Sequence, residues 1–382
     1  MSTFETIHTD ILVLGSGGAG LFAALHAHQA NPNLHITIAV KGLLGKCGCT
    51  RMVQGGYNVA LAEGDSVERH FMDTIEGGKW LSDQELAWTL VTKSVERIHE
   101  LENELGCFFD RNPDGTIHQK AFAGQTFDRT VHKGDLTGIE IINRLAEQVW
   151  ARGIYRLEEH RALELIKSKD GKSLAGVLML NMRTGEFVMV RAKAVLLGTG
   201  GGPTMYKYHT PSGDKSCDGL AMALRAGLVL RDMEMVQLHP TGLLSGPGTR
   251  MTGTVLEEGL RGSGGYLLDE TGARFMFDYD KRGERATRDI VFIDQRGTGL
   301  SGKLDCESRP EHETMSDAEL EATCAFLERA APLVLGAQEI GVARTDVVDG
   351  DTLALEVFQL LHALSATNGD VEIGRASCRE RV

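Results

Sequence analysis

Apolar and polar positions alternate in blocks along this chain, and the blocks predict a layered α/β order. Residues 9–14 (TDILVL) form a short apolar run that ends in glycines, as a strand buried on both faces does. Residues 18–31 carry a helical pattern and HITIAVK at 35–41 is a second strand, which makes one βαβ opening. Residues 83–105 predict a long helix, with Asp83 as N-cap and Gly106 as C-terminal stop. Another helix is predicted over 138–152. From 155 to 197 the pattern turns strand-like, with turn signals at Asp170–Gly171 and Thr184–Gly185. KAVLLGTGG at 193–201 is again a buried strand running into glycines. Residues 232–290 mix short strands with glycine turns and read as the start of a second domain. SDAE at 316–319 is a capping-box pattern before a helix carrying Leu320, Cys324 and Leu327. Residues 352–366 predict a last amphipathic helix that stops near Gly369. There are no internal repeats.

Length and composition narrow the classes. The 382 residues suffice for two domains of ordinary size. The 46 glycines exceed the usual share of roughly 7% and cluster in short loops, which points to close backbone approach to a ligand. A net charge of −13 with no Lys/Arg run argues against nucleic acid as a partner. It also means that an anionic substrate must be drawn in by a local cationic pocket. The seven cysteines (47, 49, 107, 217, 306, 324, 378) are odd in number and match no paired framework, so a reduced, cytoplasmic setting is expected and no metal site is predicted. No signal peptide is visible, and no apolar run reaches the ~20 residues of a membrane span.

Two stretches carry chemistry. DILVLGSGGAG at 10–20 places Gly15, Gly17 and Gly20 in a G-x-G-x-x-G between strand and helix, with Ser16, Gly18 and Ala19 between them. The first glycine allows the tight turn, the second lets backbone approach a pyrophosphate, and the third lets helix pack on strand. The helix N-terminus then faces the phosphates. An acidic residue usually follows at the end of the second strand to bind ribose; here Lys41 stands there. The second stretch, RDMEMVQLHPTGLLSGPGTRMTGTVLEEGLRGSGG at 231–265, sets His239, Glu258 and Arg261 among glycines, the make-up of a buried small-anion site.

Together the two segments resemble the flavoprotein subunit of the fumarate reductase and succinate dehydrogenase family, over roughly residues 8–290. Lys41 fits that family better than it fits NAD dehydrogenases, so the resemblance implies FAD. CGCTRMVQGGYNVA at 47–60 is similar to the family's S-H-T-x-x-A-Q-G-G, with Thr50, Gln54, Gly55 and Gly56 in register as cofactor contacts. The His that bonds flavin covalently in membrane-bound members corresponds here to Cys49, so noncovalent FAD is expected. Cys49 itself is either a buried apolar thiol or a redox-active one. GQTFDRTVHKGDLTG at 124–138 resembles a segment in which Asp135, Thr137 and Gly138 touch the cofactor while Gly124 and Gln125 approach the substrate. Asp135 could equally cap the following helix. GTGG at 198–201 implies that Thr199, Gly200 and Gly201 lie against the dinucleotide, and SCDG at 216–219 implies a cofactor or structural contact at Asp218. QLHPTG gives His239 the task of holding a substrate carboxylate. LEEGLRGSGG places Glu258 at the proton-relay carboxylate and Glu257 where a substrate-binding Thr or Ser is usual; Arg261 is structural. Arg288, in TRDIV, would be the acid that protonates substrate. Its pKa of ~12.5 or above requires a paired carboxylate and a concerted step.

The resemblance implies an α/β fold: a FAD-binding Rossmann-like domain with a mainly parallel sheet (1–231), and an inserted, truncated α+β capping domain (232–290). Residues 291–382 read as a foreign tail. VFIDQRGTGLSGKLDC at 291–306 resembles a strand-and-loop segment of α/β-hydrolase aminopeptidases, or is a divergent form of the family's own sequence. No G-x-S-x-G elbow supports hydrolase chemistry. EIGRASCRERV at 372–382, read back into codons, spells a common sequencing adapter; the other reading is an ordinary basic tail. The expected function is hydride transfer between FAD and a C4 dicarboxylate. The expected partner is an iron–sulfur electron-transfer subunit, and the membrane is reached only through partners. L-aspartate oxidase, or another flavoprotein of the same superfamily, is the first rival reading, and a non-catalytic chimeric fragment the second. A second substrate His, a second substrate Arg and the glycine-rich return segment are not found after residue 291. Little or no fumarate turnover is therefore expected of the chain as written.

Overall fold

The computed structural model describes residues 5–122, 124–206, 209–237, 239, 242–243, 254–257, 259–285 and 290–292. β1 (Glu5–Leu14), α1 (Gly18–Ala30) and β2 (Ile36–Ala39) form the βαβ opening. β3 (Tyr57–Asn58), α2 (Val67–Gly77), α3 (Gln84–Asn103), β4 (Gln119–Lys120), β5 (Thr130–Val131) and α4 (Thr137–Ala151) follow. β6 (Tyr155–Leu157), β7 (His160–Lys167), β8 (Leu174–Asn181) and β9 (Phe187–Leu197) complete a six-stranded sheet of order β6-β2-β1-β9-β8-β7. β6, β2, β1 and β9 are parallel neighbours, whereas β9, β8 and β7 run as an antiparallel meander. In the central register Leu12 lies opposite both Thr37 and Val195. A small antiparallel sheet of order β3-β5-β4 stands apart.

The run TDILVL is apolar on both faces because both are covered. Val13 joins Leu25, Ile38, Ile98, Ile142 and Leu145 in a core on the helical side. Leu12 and Leu14 join Val177, Met179, Val190 and Met222 on the other side, where α5 (Asp218–Arg225) packs. Each such Leu, Ile or Val contributes roughly 1.5–3 kcal/mol of burial. The β9 expectation needs correction at one end. Val188 and Val190 are buried, but Val195 and Leu197 are half-buried at the edge of the core, because the strand runs out at the open, glycine-lined end of the sheet.

α3 begins as its sequence predicts. Asp83 caps it by accepting from the Glu85 and Leu86 N–H groups, both at 3.1 Å, a cap that contributes about 1 kcal/mol. Asp135 does not cap α4: the N-cap is Leu136 and no side chain bonds there, so the capping alternative falls. The sequence pattern predicts no helix where α2 stands, which Ser66 caps by accepting from the Arg69 N–H.

After α5, β10 (Met235–Gln237) is followed by two helices of four residues, α6 (Gly259–Gly262) and α7 (Met276–Tyr279). β11 (Ile290–Phe292) pairs antiparallel with β10, Val236 lying opposite Val291. The helices expected after 316 and over 352–366, the hydrolase-like stretch beyond 292 and the terminal 372–382 lie outside the described residues. Among the described residues no helix is long and apolar enough to cross a membrane.

Candidate functional site: a glycine-lined dinucleotide cradle and the segment beside it

The cradle is built where parallel strands end. Gly15 takes a φ of +109°, and a side chain there would collide with the Gly198 carbonyl. Gly20 is needed for the opposite reason: a Cβ on it would strike the Gly15 carbonyl, so α1 could not pack on its own turn. The Gly198 N–H donates to Leu14 O at 2.7 Å, which brings the two glycine turns side by side. Gly17, the N-cap residue of α1, has no side chain to cap the helix and the first turn carries no acid, so the helix end favours an anion. Its Gly18 N–H donates to Thr50 Oγ1 at 2.9 Å, which ties the loop 47–56 to the helix end.

Lys41 and Asp218, 177 residues apart, meet as an ion pair of 2.8 Å, with Lys41 also donating to Ser216 Oγ at 3.0 Å and Arg161 reaching Asp218 at 3.1 Å. Burial works to raise the Asp218 carboxyl, but the hydrogen bonds from Lys41 and Ser216 and the nearby cations hold it below its ordinary value. The adjoining Cys217 stands in the left-handed region at φ +60°, its sulfur filling the space that a side chain on Gly202 would need. Thr199 rests on Gly219 in the same way, and Gly200 (φ +72°) lies against Lys215. Gly201 is exposed.

Cys49 is half-buried and free, and leads into the short 3-10 turn at Thr50–Met52. Its neighbour Cys47 has its thiol pushed above the ordinary value by burial. Gln54 bears most directly on what the cradle fits. Its Oε1 is buried with no hydrogen-bond partner. Such an acceptor costs about 1–3 kcal/mol unless a donor meets it. Gly55 packs under the Phe122 ring, Gly56 (φ +142°) against Val131, and Gly138 against the Thr50 carbonyl; none has room for a side chain. The side chain of Thr137 is fully buried and donates to Gln54 O at 3.4 Å. A small apolar cavity of about 70 Å³ lies behind this loop, against α1, α3 and α4. It touches Gly18, Thr50 and Gly138 but not Ser16, Lys41 or Asp218, so it is not the cradle. The residues of the cradle itself fit FAD: a close-approach glycine turn, a helix end with no acid in its first turn and one orphaned acceptor.

The substrate-side residues are placed unevenly. Gly124 takes φ +80°. Gln125 turns into its own loop, donating to Thr130 Oγ1 at 3.2 Å. That loop is pinned by Arg129, whose buried guanidinium pairs with Asp65 (2.8 Å) and with Asp73, while Thr126 also bonds Asp73. His239 is half-buried. Asp135 is exposed. Arg261 is buried and donates to Glu284 O at 3.2 Å. Glu258 and Arg288 lie outside the described residues. Glu257 is paired at 2.8 Å with Lys120, a residue that the sequence pattern does not single out. Nothing in the string IHQKAF marks it, because its partner lies 137 residues further on.

Comparison with known proteins places these features. Residues 10–339 match the family model described as FAD binding domain. The chain is 40% identical over 320 residues to one component of the fumarate reductase (CoM/CoB) of Methanothermobacter marburgensis, covering 80% of this chain and 57% of that protein. It is 38% identical over 276 residues to the fumarate reductase flavoprotein subunit of Escherichia coli K12, covering 72% of this chain and 44% of that protein. In structure it is similar to an E. coli quinol fumarate reductase, with a TM-score of 0.71 at 28% identity, over 99% of this chain and 74% of that one. The chain spans about half the length of the curated relatives it matches.

Proposed function

Because this chain belongs to the FAD-binding flavoprotein family of the fumarate reductases and succinate dehydrogenases, we propose that it is the flavoprotein part of an oxidoreductase that interconverts fumarate and succinate. Its fold is the Rossmann-like α/β FAD-binding fold with an inserted capping subdomain, and FAD is its cofactor. Bound FAD supplies the hydride chemistry. The chain's own residues do the rest. The Gly15–Gly20 turn and the α1 N-terminus would hold the pyrophosphate, Lys41 and Asp218 the ribose side, and Gln54 Oε1 a donor on the cofactor. Cys49 offers no imidazole for a covalent link, in keeping with noncovalent FAD. His239 would hold one substrate carboxylate. Arg288 would give a proton to the substrate and Glu258 would relay a proton to Arg288 to replace it, a role that typically contributes ~10²–10⁴-fold. We divide the chain into a cofactor domain (1–231), a capping part (232–290) and a tail that belongs to neither (291–382). An iron–sulfur subunit is the electron partner we propose for the natural assembly.

One observation carries the reading. The segment that bears the substrate motif is seated on the cofactor domain beside the glycine loop: Gly262 packs against Ala121 and Phe122, and the Phe122 ring lies on Gly55. The test is an anaerobic titration of the FAD-loaded chain with fumarate, succinate and L-aspartate, following the flavin spectrum. The two dicarboxylates should perturb it saturably, and L-aspartate should need far higher concentrations. Preference for L-aspartate would overturn the substrate assignment. Acid precipitation should release all the flavin, and flavin that stays with the pellet would overturn the noncovalent assignment.

A further inference from the structure

The Lys120 ammonium stands one aromatic ring away from the cofactor loop. It lies 5.8 Å from the centre of the Phe122 ring, which itself covers Gly55. Its ion-pair partner among the described residues is Glu257, at 2.8 Å, and the two side chains keep only 21% and 18% of their exposure. Three other cations among the described residues around the site are committed elsewhere. Lys41 serves Asp218 at the dinucleotide end, Arg129 is locked between Asp65 and Asp73, and Arg261 serves the Glu284 carbonyl. Lys120 is therefore a half-sequestered cation held by one carboxylate, and that carboxylate comes from the segment that carries the substrate motif.

A substrate carboxylate is chemically the same partner as the Glu257 side chain. Exchanging one for the other at Lys120 keeps the charge pair, whereas a neutral group arriving there gains nothing and leaves Glu257 in place. We propose that Lys120 receives one carboxylate of the substrate and that Glu257 is its internal stand-in, displaced on binding. This rests on the dicarboxylate reading above and deepens it. The pair makes binding conditional on a second negative charge, and the competition from Glu257 sets how tightly a dianion is held.

Calorimetric titration of the FAD-loaded chain with succinate and with succinamate, which carries an amide in place of one carboxylate, tests this. Glu257→Gln removes the competing charge while keeping the shape. It should tighten succinate by roughly tenfold and shift succinamate less than about twofold. Lys120→Met should weaken succinate by roughly tenfold or more and bring it level with succinamate. Glu257→Asp keeps the competition and should stay near the parent. If both ligands shift together in each variant, the pair is a structural tie and the proposal falls. It falls equally if Glu257→Gln weakens succinate. Should Lys120→Met fail to retain flavin, the isosteric Glu257→Gln decides alone. A parent chain that binds neither ligand overturns the dicarboxylate reading, and this inference with it.

Discussion

The dinucleotide end and the segment 256–285 hold their shapes by different means. The first is fixed chiefly by dry packing, three glycines in one turn and strands whose Leu12, Ile38 and Val190 have no exposure, with one ion cluster at Lys41, Asp218 and Arg161 on its rim. The second has two helices of four residues and relies on charge. Lys120 ties it to the cofactor domain through Glu257. Arg274 bonds Glu284 at 2.9 Å and lies 3.9 and 4.4 Å from the centres of the Tyr266 and Phe277 rings. The cofactor end should therefore fail when volume is added, and the substrate side when charge is altered.

The largest effect expected is from Gly20→Val. A branched side chain would strike the Gly15 carbonyl and force α1 off its turn, so the flavin-to-protein ratio of purified variant should fall to near zero. Normal flavin content would break the packing half of the comparison. Next comes Arg129→Ala, in the loop of Gly124 and Gln125, which asks how much a buried charge holds on the substrate side. It strands Asp65 and Asp73 without their cation, and breaking a buried pair in this way costs about 3–5 kcal/mol, readable by urea denaturation.

The smallest is a pH effect that separates the two regions. Burial, with the charge of Arg129, pushes His70 down to about 4. The ordinary value is near 6.5, so between these two values the unfolded chain binds the proton that the folded chain refuses. Stability from this group is whole above pH 6.5 and declines toward pH 4, by up to about 3 kcal/mol. The hydrogen bond from Arg274 holds Glu284 at about 2, so that pair's contribution is whole above its ordinary range and lost only as the pH falls toward 2. Acid should loosen the cofactor domain first. His70→Gln should flatten its decline between pH 6.5 and 4 in thermal melts, and an unchanged profile would count against the comparison.

What the sequence disclosed follows the same division. The glycine turn, β1, α1 and the Asp83 cap are settled by residues within a few positions of one another, so their pattern is visible in a string. Lys41 stands out in the string only for breaking the acidic rule, and its actual partner, Asp218, depends on how β2 and α5 come together. Lys120 is invisible there for the same reason. Asp135 shows the limit on the local side: an acid just before a helix is a plausible cap, yet the chain turns at Leu136 and leaves it outside. The short α2 escapes notice because its capping serine sits among other polar residues with no apolar run to flag it.

The pairing of β1 with β9 bears on how the chain comes to be folded at all. β1 is synthesised well before one of its two strand neighbours, which begins at Phe187, and the Gly198 carbonyl that closes on Gly15 comes later still. At ~5–20 residues per second, the glycine turn waits on the order of ten to forty seconds on the ribosome before the strand that completes it exists. During that time β1 presents an unpaired apolar edge, the kind of surface that chaperones hold. Flavin capture thus trails, by more than a hundred and fifty residues of synthesis, the motif that announces it.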